Sequence, residues 1–326
     1  MKLAFLFPGQ GSQAVGMGKA LAAQVPAARE AFVTADRVLG PLDGGRTLSQ
    51  ICWSGPEDEL RQTLNAQPAL LTHSIAALRI LEGRGVRPDF VAGHSLGEYS
   101  ACVAARALDF EPALELVRLR GRLMHQAGTD QPGTMAAVLG LEKSAVMDAC
   151  RRASGAGLLV VAANDNAPGQ VVISGHLEAV RHACELATAA GAKRAILLPV
   201  SAAFHSPLMA PAAKELAAAI ERAPFRDAEC PIVSNVTARP LRGATEIRDA
   251  LERQLLGEVR WRESMESLVA AKVDAFVEIG TGRVLRGLLK SLVSGALSFQ
   301  LGEPGEIEAT LNGLKSAAHP AAREAR

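Results

Sequence analysis

Gly93-His94-Ser95-Leu96-Gly97 sets a serine between two glycines in the G-x-S-x-G spacing of a nucleophile elbow. Such an elbow requires a strand before it and a helix after it. Asp89–Ala92 reads as a short buried strand and Leu96–Ala105 as a helix, so the context is present. The glycines let the chain turn tightly and raise the Ser95 hydroxyl above the sheet. The backbone N–H of Leu96, at the helix start, then points where an oxyanion would form.

A serine nucleophile needs a base, and the chain has seven histidines. His319 is in the terminal stretch, His176 opens a helix, and His73, His125 and His182 fall inside helical patterns. His94 adjoins the nucleophile, so its side chain is directed away from that of Ser95. His205, in Pro199-Val200-Ser201-Ala202-Ala203-Phe204-His205, follows a strand and is placed as a general base. A capping or packing histidine fits the same position equally well. No acidic residue between Ser95 and His205 has a context that marks it as a third member. The pair is therefore expected to be oriented by an amide or a carbonyl.

Arg120 lies mid-stripe on an apolar helix face. At about 100° per residue its neighbours are Ala113, Leu116, Val117, Leu123, Met124 and Ala127, with Glu115, Arg118 and Arg122 on the opposite side. An unpaired buried charge is too costly to persist, so Arg120 must meet an internal carboxylate or a ligand anion. Gly9-Gln10-Gly11-Ser12-Gln13-Ala14, after a strand, fits the dinucleotide fingerprint. That fingerprint also wants an acidic residue about 20 positions on, at a strand end. Glu30 and Asp36 lie in a helical pattern instead. The other reading is a loop that brings a backbone N–H to an oxyanion hole.

Short apolar runs alternating with helical patterns predict an α/β fold to hold these residues. Leu3–Phe7 and Ala275–Ile279 read as buried strands. Gln67–Leu81, Pro112–Gln126 and Val284–Leu292 read as helices, as does a stretch ending near Leu39. The middle differs. It reads as strand Thr134–Leu141, helix Glu142–Ala153, strand Leu158–Ala163, a turn at Asn164–Gln170, strand Val171–Ser174, helix His176–Ala190 and strand Ala195–Val200. That β-α-β-β-α-β order is the ferredoxin-like unit. The expectation is a parallel-sheet core, residues 1–127 plus 201–326, with a small α+β domain inserted at 128–200. A cleft between two such units is a preferred place for a site. The last residues, from Lys315 on, read as a frayed tail.

With 326 residues, 48% of them hydrophobic, the chain has ample material for one large core or two modest ones. The formal net charge of +1 gives no reason to expect nucleic acid or a membrane as partner. The five cysteines include no C-x-x-C pair, so neither a structural zinc nor a disulfide framework is expected. The apolar N-terminal run is too short for a signal peptide. No run approaches the roughly 18 apolar residues of a membrane span. A soluble, cytoplasmic protein is expected.

The chain resembles the malonyl-CoA:acyl carrier protein transacylases of fatty acid synthesis over nearly its whole length. The likeness rests on Phe7–Gln13, Gln67–Leu70, Gly93–Ala101, Arg118–Met124, Gly133–Leu141, Asn164–Gly175, Ser201–Met209 and Glu278–Lys290. It implies an α/β-hydrolase-like core and ping-pong transfer of malonyl from coenzyme A to the phosphopantetheine thiol of acyl carrier protein. Ser95 is then the acylated nucleophile, His205 its base, and Arg120 the anchor of the malonate carboxylate. The Gln10 and Leu96 amides form the oxyanion hole, and Gln254 orients the histidine. His94 and Asn166 line the pocket. In related domains a Phe at the position of Phe204 goes with malonyl selection, whereas Ser there, with Gln after the nucleophile, goes with methylmalonyl. The implied reaction needs no metal or redox cofactor, coenzyme A entering as the substrate thioester. Three other readings remain: an acyltransferase serving a polyketide synthase, a serine esterase, and a dinucleotide-binding protein. Arg283, Arg286 and Lys290, on one face of Val284–Leu292, are either a docking face for an acidic carrier or a plain solvated face.

Overall fold

The computed structural model describes residues 1–42, 44–200 and 202–318. Ser201 and the terminal residues 319–326, including His319, lie outside the described residues. Among the described residues ten strands fall into two sheets. They are β1 (Leu3–Phe7), β2 (Phe90–Gly93), β3 (Thr134–Leu139), β4 (Val160–Ala167), β5 (Gln170–Gly175), β6 (Arg194–Leu197), β7 (Ile232–Val233), β8 (Pro240–Leu241), β9 (Ala275–Ile279) and β10 (Leu297–Leu301).

The first sheet has the order β10-β9-β1-β2-β7-β8, parallel throughout except for β8 against β7. Its central strand β1, Leu-Ala-Phe-Leu-Phe, is buried at every residue. Phe5 and Phe7 enter one apolar cluster while Ala4 and Leu6 enter another, on the opposite face with Trp261 and Leu285. Helices cover both faces, which is why the strand reads as a continuous apolar run without alternation. The second sheet, β4-β5-β3-β6, is antiparallel and is packed by the helices Lys143–Ala153 and Leu177–Ala189 around its own core. Its strand order and connections are those of the ferredoxin-like fold. Among the described residues no helix is long and apolar enough to cross a membrane.

Several elements differ from their sequence expectation for identifiable reasons. The helix expected at Gln67–Leu81 spans Thr63–Gly83, running through Pro68. Proline has no N–H to offer the carbonyl four residues back. That carbonyl, on Leu64, accepts from Arg118 Nη1 at 2.7 Å instead. Arg118 is accordingly half-buried rather than on an open face. The segment Asn164-Asp165-Asn166, expected as a turn, continues β4 through two register shifts. Its Asp165 carboxylate is buried between Lys143 at 3.3 Å and Arg262 at 3.0 Å. Strand polarity there is satisfied by partners distant in sequence, which a local pattern does not display. The stretch up to Leu39 divides into two helices, Lys19–Gln24 and Pro26–Leu39, because Pro26 starts the second. Lys315–Ala318, expected as tail, closes the helix Ile307–Ala318.

Candidate active site

Ser95 sits at the end of β2, where the chain turns into the helix Gly97–Ala104. Its φ of 51° is left-handed, a conformation that costs a non-glycine residue of order 1–3 kcal/mol and persists only under external support. The flanking glycines are required by space. A Cβ on Gly93 would lie 1.9 Å from the Gly97 carbonyl, and one on Gly97 would lie 2.1 Å from the Phe7 carbonyl oxygen. Ser95 N–H donates to Asn235 Oδ1 at 2.7 Å, and Ser95 O accepts from Gln254 Nε2 at 2.8 Å.

His205 is buried and also left-handed, with φ 56°. Its Nε2 lies 2.7 Å from Ser95 Oγ. Its Nδ1 faces two backbone carbonyls, Gln254 O at 3.0 Å and Gly257 O at 3.2 Å. Carbonyls only accept, so Nδ1 carries the proton and Nε2 is left to receive one from the serine. Burial, reinforced by the Arg120 charge, pushes the imidazole down from 6.5 to about 3. At neutral pH it is the neutral ring, protonated at Nδ1 only, that meets Ser95.

Arg120 is 1% exposed. Nη1 donates to Gln67 Oε1 at 2.7 Å, and Nη2 to both Gln254 Oε1 and Ser95 Oγ at 3.0 Å. The guanidinium lies over the Tyr99 ring, 5.8 Å from its centroid. The internal carboxylate anticipated as one of its two partners is not in direct contact among the described residues. Among the described residues the arginine makes no ion pair, and its protein partners are neutral oxygens. Burial lowers its affinity for the proton. Such a group is set to receive an anion.

Gln10 lies in the loop after β1, the loop whose Phe7 and Pro8 carbonyls abut Gly97. Its side chain accepts from Thr63 Oγ1 at 2.7 Å. Among the described residues neither the Gln10 nor the Leu96 N–H is donated to a protein acceptor. The loop forms turns up to Gly18, and the next helix begins only at Lys19. Its glycines therefore do not open a helix, as a dinucleotide fingerprint requires.

Asn166, on β4, reaches the elbow from the second sheet, its Oδ1 2.8 Å from His94 Nε2. The His94 ring lies 5.4 Å from Trp261, centroid to centroid. The same strand is tied to the core where Val259 N donates to Ala163 O at 2.8 Å and Asp165 N to Val259 O at 2.9 Å. Phe204 is buried in the main apolar cluster. Ser95, His205, Arg120 and Gln254 thus form one connected site, and the His94–Asn166 pair adjoins it through the chain at the elbow. Arg283 and Arg286 do not belong to it. Arg283 pairs with Glu306 at 3.3 Å, and Arg286 Nε donates to Ser298 Oγ at 3.1 Å, so the chain's own residues engage both. Sequence reasoning missed Asn235, Gln67 and Glu98. The glutamate was visible three positions after the serine, but nothing local distinguished it from a surface helix residue.

The acyl transferase domain profile matches residues 4–294. The chain is 46% identical over 314 residues to the malonyl CoA-acyl carrier protein transacylase of Bacillus subtilis strain 168, covering 96% of this chain and 98% of that one. It is 43% identical over 311 residues to the protein of the same name from Escherichia coli K12, covering 95% and 99%. Among solved structures, the malonyl CoA-acyl carrier protein transacylase of Coxiella burnetii superposes with a TM-score of 0.92 at 38% identity, covering 96% and 98%. A malonyl-transacylase in complex with a type II PKS acyl-carrier protein superposes with a TM-score of 0.91 at 41% identity, covering 96% and 99%.

Proposed function

Because the chain belongs to the malonyl-CoA:acyl carrier protein transacylases of the acyl transferase family, we propose that it is an acyl-carrier-protein S-malonyltransferase working through a malonyl-Ser95 ester. One observation carries the mechanism: Ser95 Oγ lies at once 2.7 Å from an unprotonated imidazole nitrogen and 3.0 Å from a buried guanidinium.

The Ser95 proton passes to His205 Nε2 as Oγ attacks the thioester carbonyl of malonyl-CoA. The negative charge that forms on the carbonyl oxygen is received by the N–H groups of Gln10 and Leu96. As the C–S bond breaks, His205 returns its proton to the coenzyme A sulfur. The phosphopantetheine thiol of the carrier then gives its proton to His205 and attacks the ester. Ser95 leaves as the alcohol, taking that proton back. The backbone carbonyls of Gln254 and Gly257 hold the ring through Nδ1, the role an aspartate has in a hydrolase triad. The free carboxylate of a malonyl group lies two bonds from the acylated carbon, within reach of Arg120. A planar guanidinium suits it bidentately. The arginine favours this reading over a plain esterase, which has no need of a buried cation beside its nucleophile.

The steps use side chains and backbone alone, with no cofactor. The acyl acceptor is an acyl carrier protein of a fatty acid or polyketide pathway, and the compartment is the cytoplasm. Residues 128–200 are taken as a small domain inserted between 1–127 and 201–326. Its separate apolar core supports that division. His94, Asn166 and Phe204 line the acyl pocket.

The test is intact-protein mass spectrometry after mixing with malonyl-CoA and then with holo carrier protein. One malonyl unit should appear on the enzyme and then move to the carrier. Ser95→Ala should abolish labelling, a loss on the order of 10⁴–10⁶ in rate. Full labelling of that variant overturns the proposal.

A further inference from the structure

Glu98 is 2% exposed, lies on the first turn of the helix after the elbow, and touches none of the reacting atoms. Its two carboxylate oxygens each accept from a different donor. Oε2 receives Gln254 Nε2 at 2.8 Å, and Oε1 receives the backbone N–H of Asn235 at 3.2 Å. These two partners are the residues whose side chains hold the strained Ser95 peptide. Asn235 Oδ1 takes the Ser95 N–H at 2.7 Å while its Nδ2 donates to Gly93 O at 2.7 Å. Gln254 Nε2 takes the Ser95 carbonyl at 2.8 Å while its Oε1 receives Arg120 Nη2 at 3.0 Å.

We infer that Glu98 is a positioning residue that sets both the elbow and the aim of Arg120, acting through Asn235 and Gln254. The aim of Arg120 depends on which way the Gln254 amide faces. Its nitrogen must look toward acceptors for its oxygen to look toward the arginine. Glu98 and the Ser95 carbonyl supply those acceptors. Above about pH 7, where Glu98 is ionised despite its burial, its carboxylate is acceptor-only and satisfies two N–H donors at once. A glutamine at 98 has one acceptor oxygen, so its NH₂ would oppose either the Asn235 N–H or Gln254 Nε2. In the first case the elbow clip loosens. In the second the Gln254 amide is driven to turn its nitrogen toward Arg120, donor against donor. After Tyr99, Glu98 also opposes the desolvation of Arg120, without an ion pair.

This inference rests on the reading of Ser95 as nucleophile and Arg120 as carboxylate anchor. The experiment is single-turnover loading of Glu98→Gln with malonyl-CoA and, separately, acetyl-CoA, read by intact mass, with thermal melting by circular dichroism as the fold control. A buried donor left without an acceptor corresponds to about 10- to 100-fold. Malonyl loading should fall by that factor, and acetyl loading by clearly less, because acetyl makes no use of Arg120. A folded variant with an unchanged malonyl-to-acetyl ratio overturns the inference. Glu98→Asp, which keeps two acceptor oxygens one methylene further back, is the second variant, and it should lower the same ratio less than Glu98→Gln. If it lowers the ratio as much as Glu98→Gln does, the inference also fails. Ser95→Ala run alongside separates the two levels: residual labelling there sinks the nucleophile assignment itself, whereas its absence with normal Glu98 variants sinks this inference alone.

Discussion

The elbow and the histidine loop solve the same problem by different means. Each holds a non-glycine residue in the left-handed region, Ser95 at φ 51° and His205 at φ 56°. At the elbow most of the determinants are close in sequence: a strand, two glycines demanded by sterics, and a helix start. The histidine has no flanking glycine, and β6, the strand before it, ends at Leu197. Its loop is closed by Ser206 Oγ donating to Ala203 O at 2.6 Å, and its ring by carbonyls at 254 and 257. Local strain at a nucleophile leaves a motif. Strain at its base is supported from far along the chain and leaves almost none.

The largest effect is expected from removing the base. His205→Ala should reduce single-turnover malonyl loading on the order of 10⁴–10⁶, matching Ser95→Ala, because the two act as a unit. A loss of only tenfold would mean the histidine loop is packing and the elbow works alone. The pH profile sharpens the same point. With the ring pushed down to about 3, it stays unprotonated through pH 5–8, and no imidazole inflection near 6.5 should appear. Glu98 is the nearby group raised by burial to about 7, and it faces Arg120, Tyr99 and Cys102. Burial pushes that tyrosine and that cysteine upward, out of this window. The profile of Glu98→Gln should therefore be flat from pH 5 to 8. An inflection that persists there belongs to His205, and the ring is then not held neutral.

What was legible in the sequence follows the same division. Ser95, the apolar stripe around Arg120 and the βαββαβ order of the second sheet are written in short-range pattern, and the structure places them accordingly. The clamp formed by Asn235, Gln254 and Glu98 joins positions more than 100 residues apart, with hydrogen bonds at separations from 137 to 159. No window of periodicity contains it. Only the family resemblance singled out Gln254, and neither resemblance nor pattern pointed to the other two. The turn expected at Asn164–Asn166 failed for a related reason. A buried Asp165 flanked by asparagines looks like a loop until Arg262 and Lys143, which neutralise its carboxylate, are seen.

Arg120 belongs to both regions, since one nitrogen touches the serine and the Gln254 amide together. Removing a partner from a desolvated charge pair costs roughly 2–5 kcal/mol. Arg120→Ala should lose malonyl loading by that amount in kcat/KM, while acetyl loading falls far less or rises. Parallel hydrolysis-corrected assays with the two thioesters measure it. An equal loss for both acyl groups in a folded variant would make the arginine a structural support of the elbow and not a reader of the substrate.

The smallest expected effect tests whether the histidine loop also selects the acyl group. Phe204 precedes the base and is buried in the main core, where the simplest role for an aromatic ring is packing. If the ring instead occupies the space a 2-methyl branch needs, volume decides, and one methyl group in an apolar pocket discriminates by about 1–3 kcal/mol, or 10–200-fold. Wild type should then prefer malonyl- to methylmalonyl-CoA within that range. Phe204→Ser should narrow the gap chiefly by improving methylmalonyl transfer, because the malonyl group never needed the vacated volume. Competitive labelling with an equimolar mixture of the two thioesters, resolved by mass on Ser95, gives the ratio directly. Equal labelling by wild type would return Phe204 to the core. So would a serine variant that slows both substrates alike, since packing lost beside His205 disturbs the base whichever acyl group is bound.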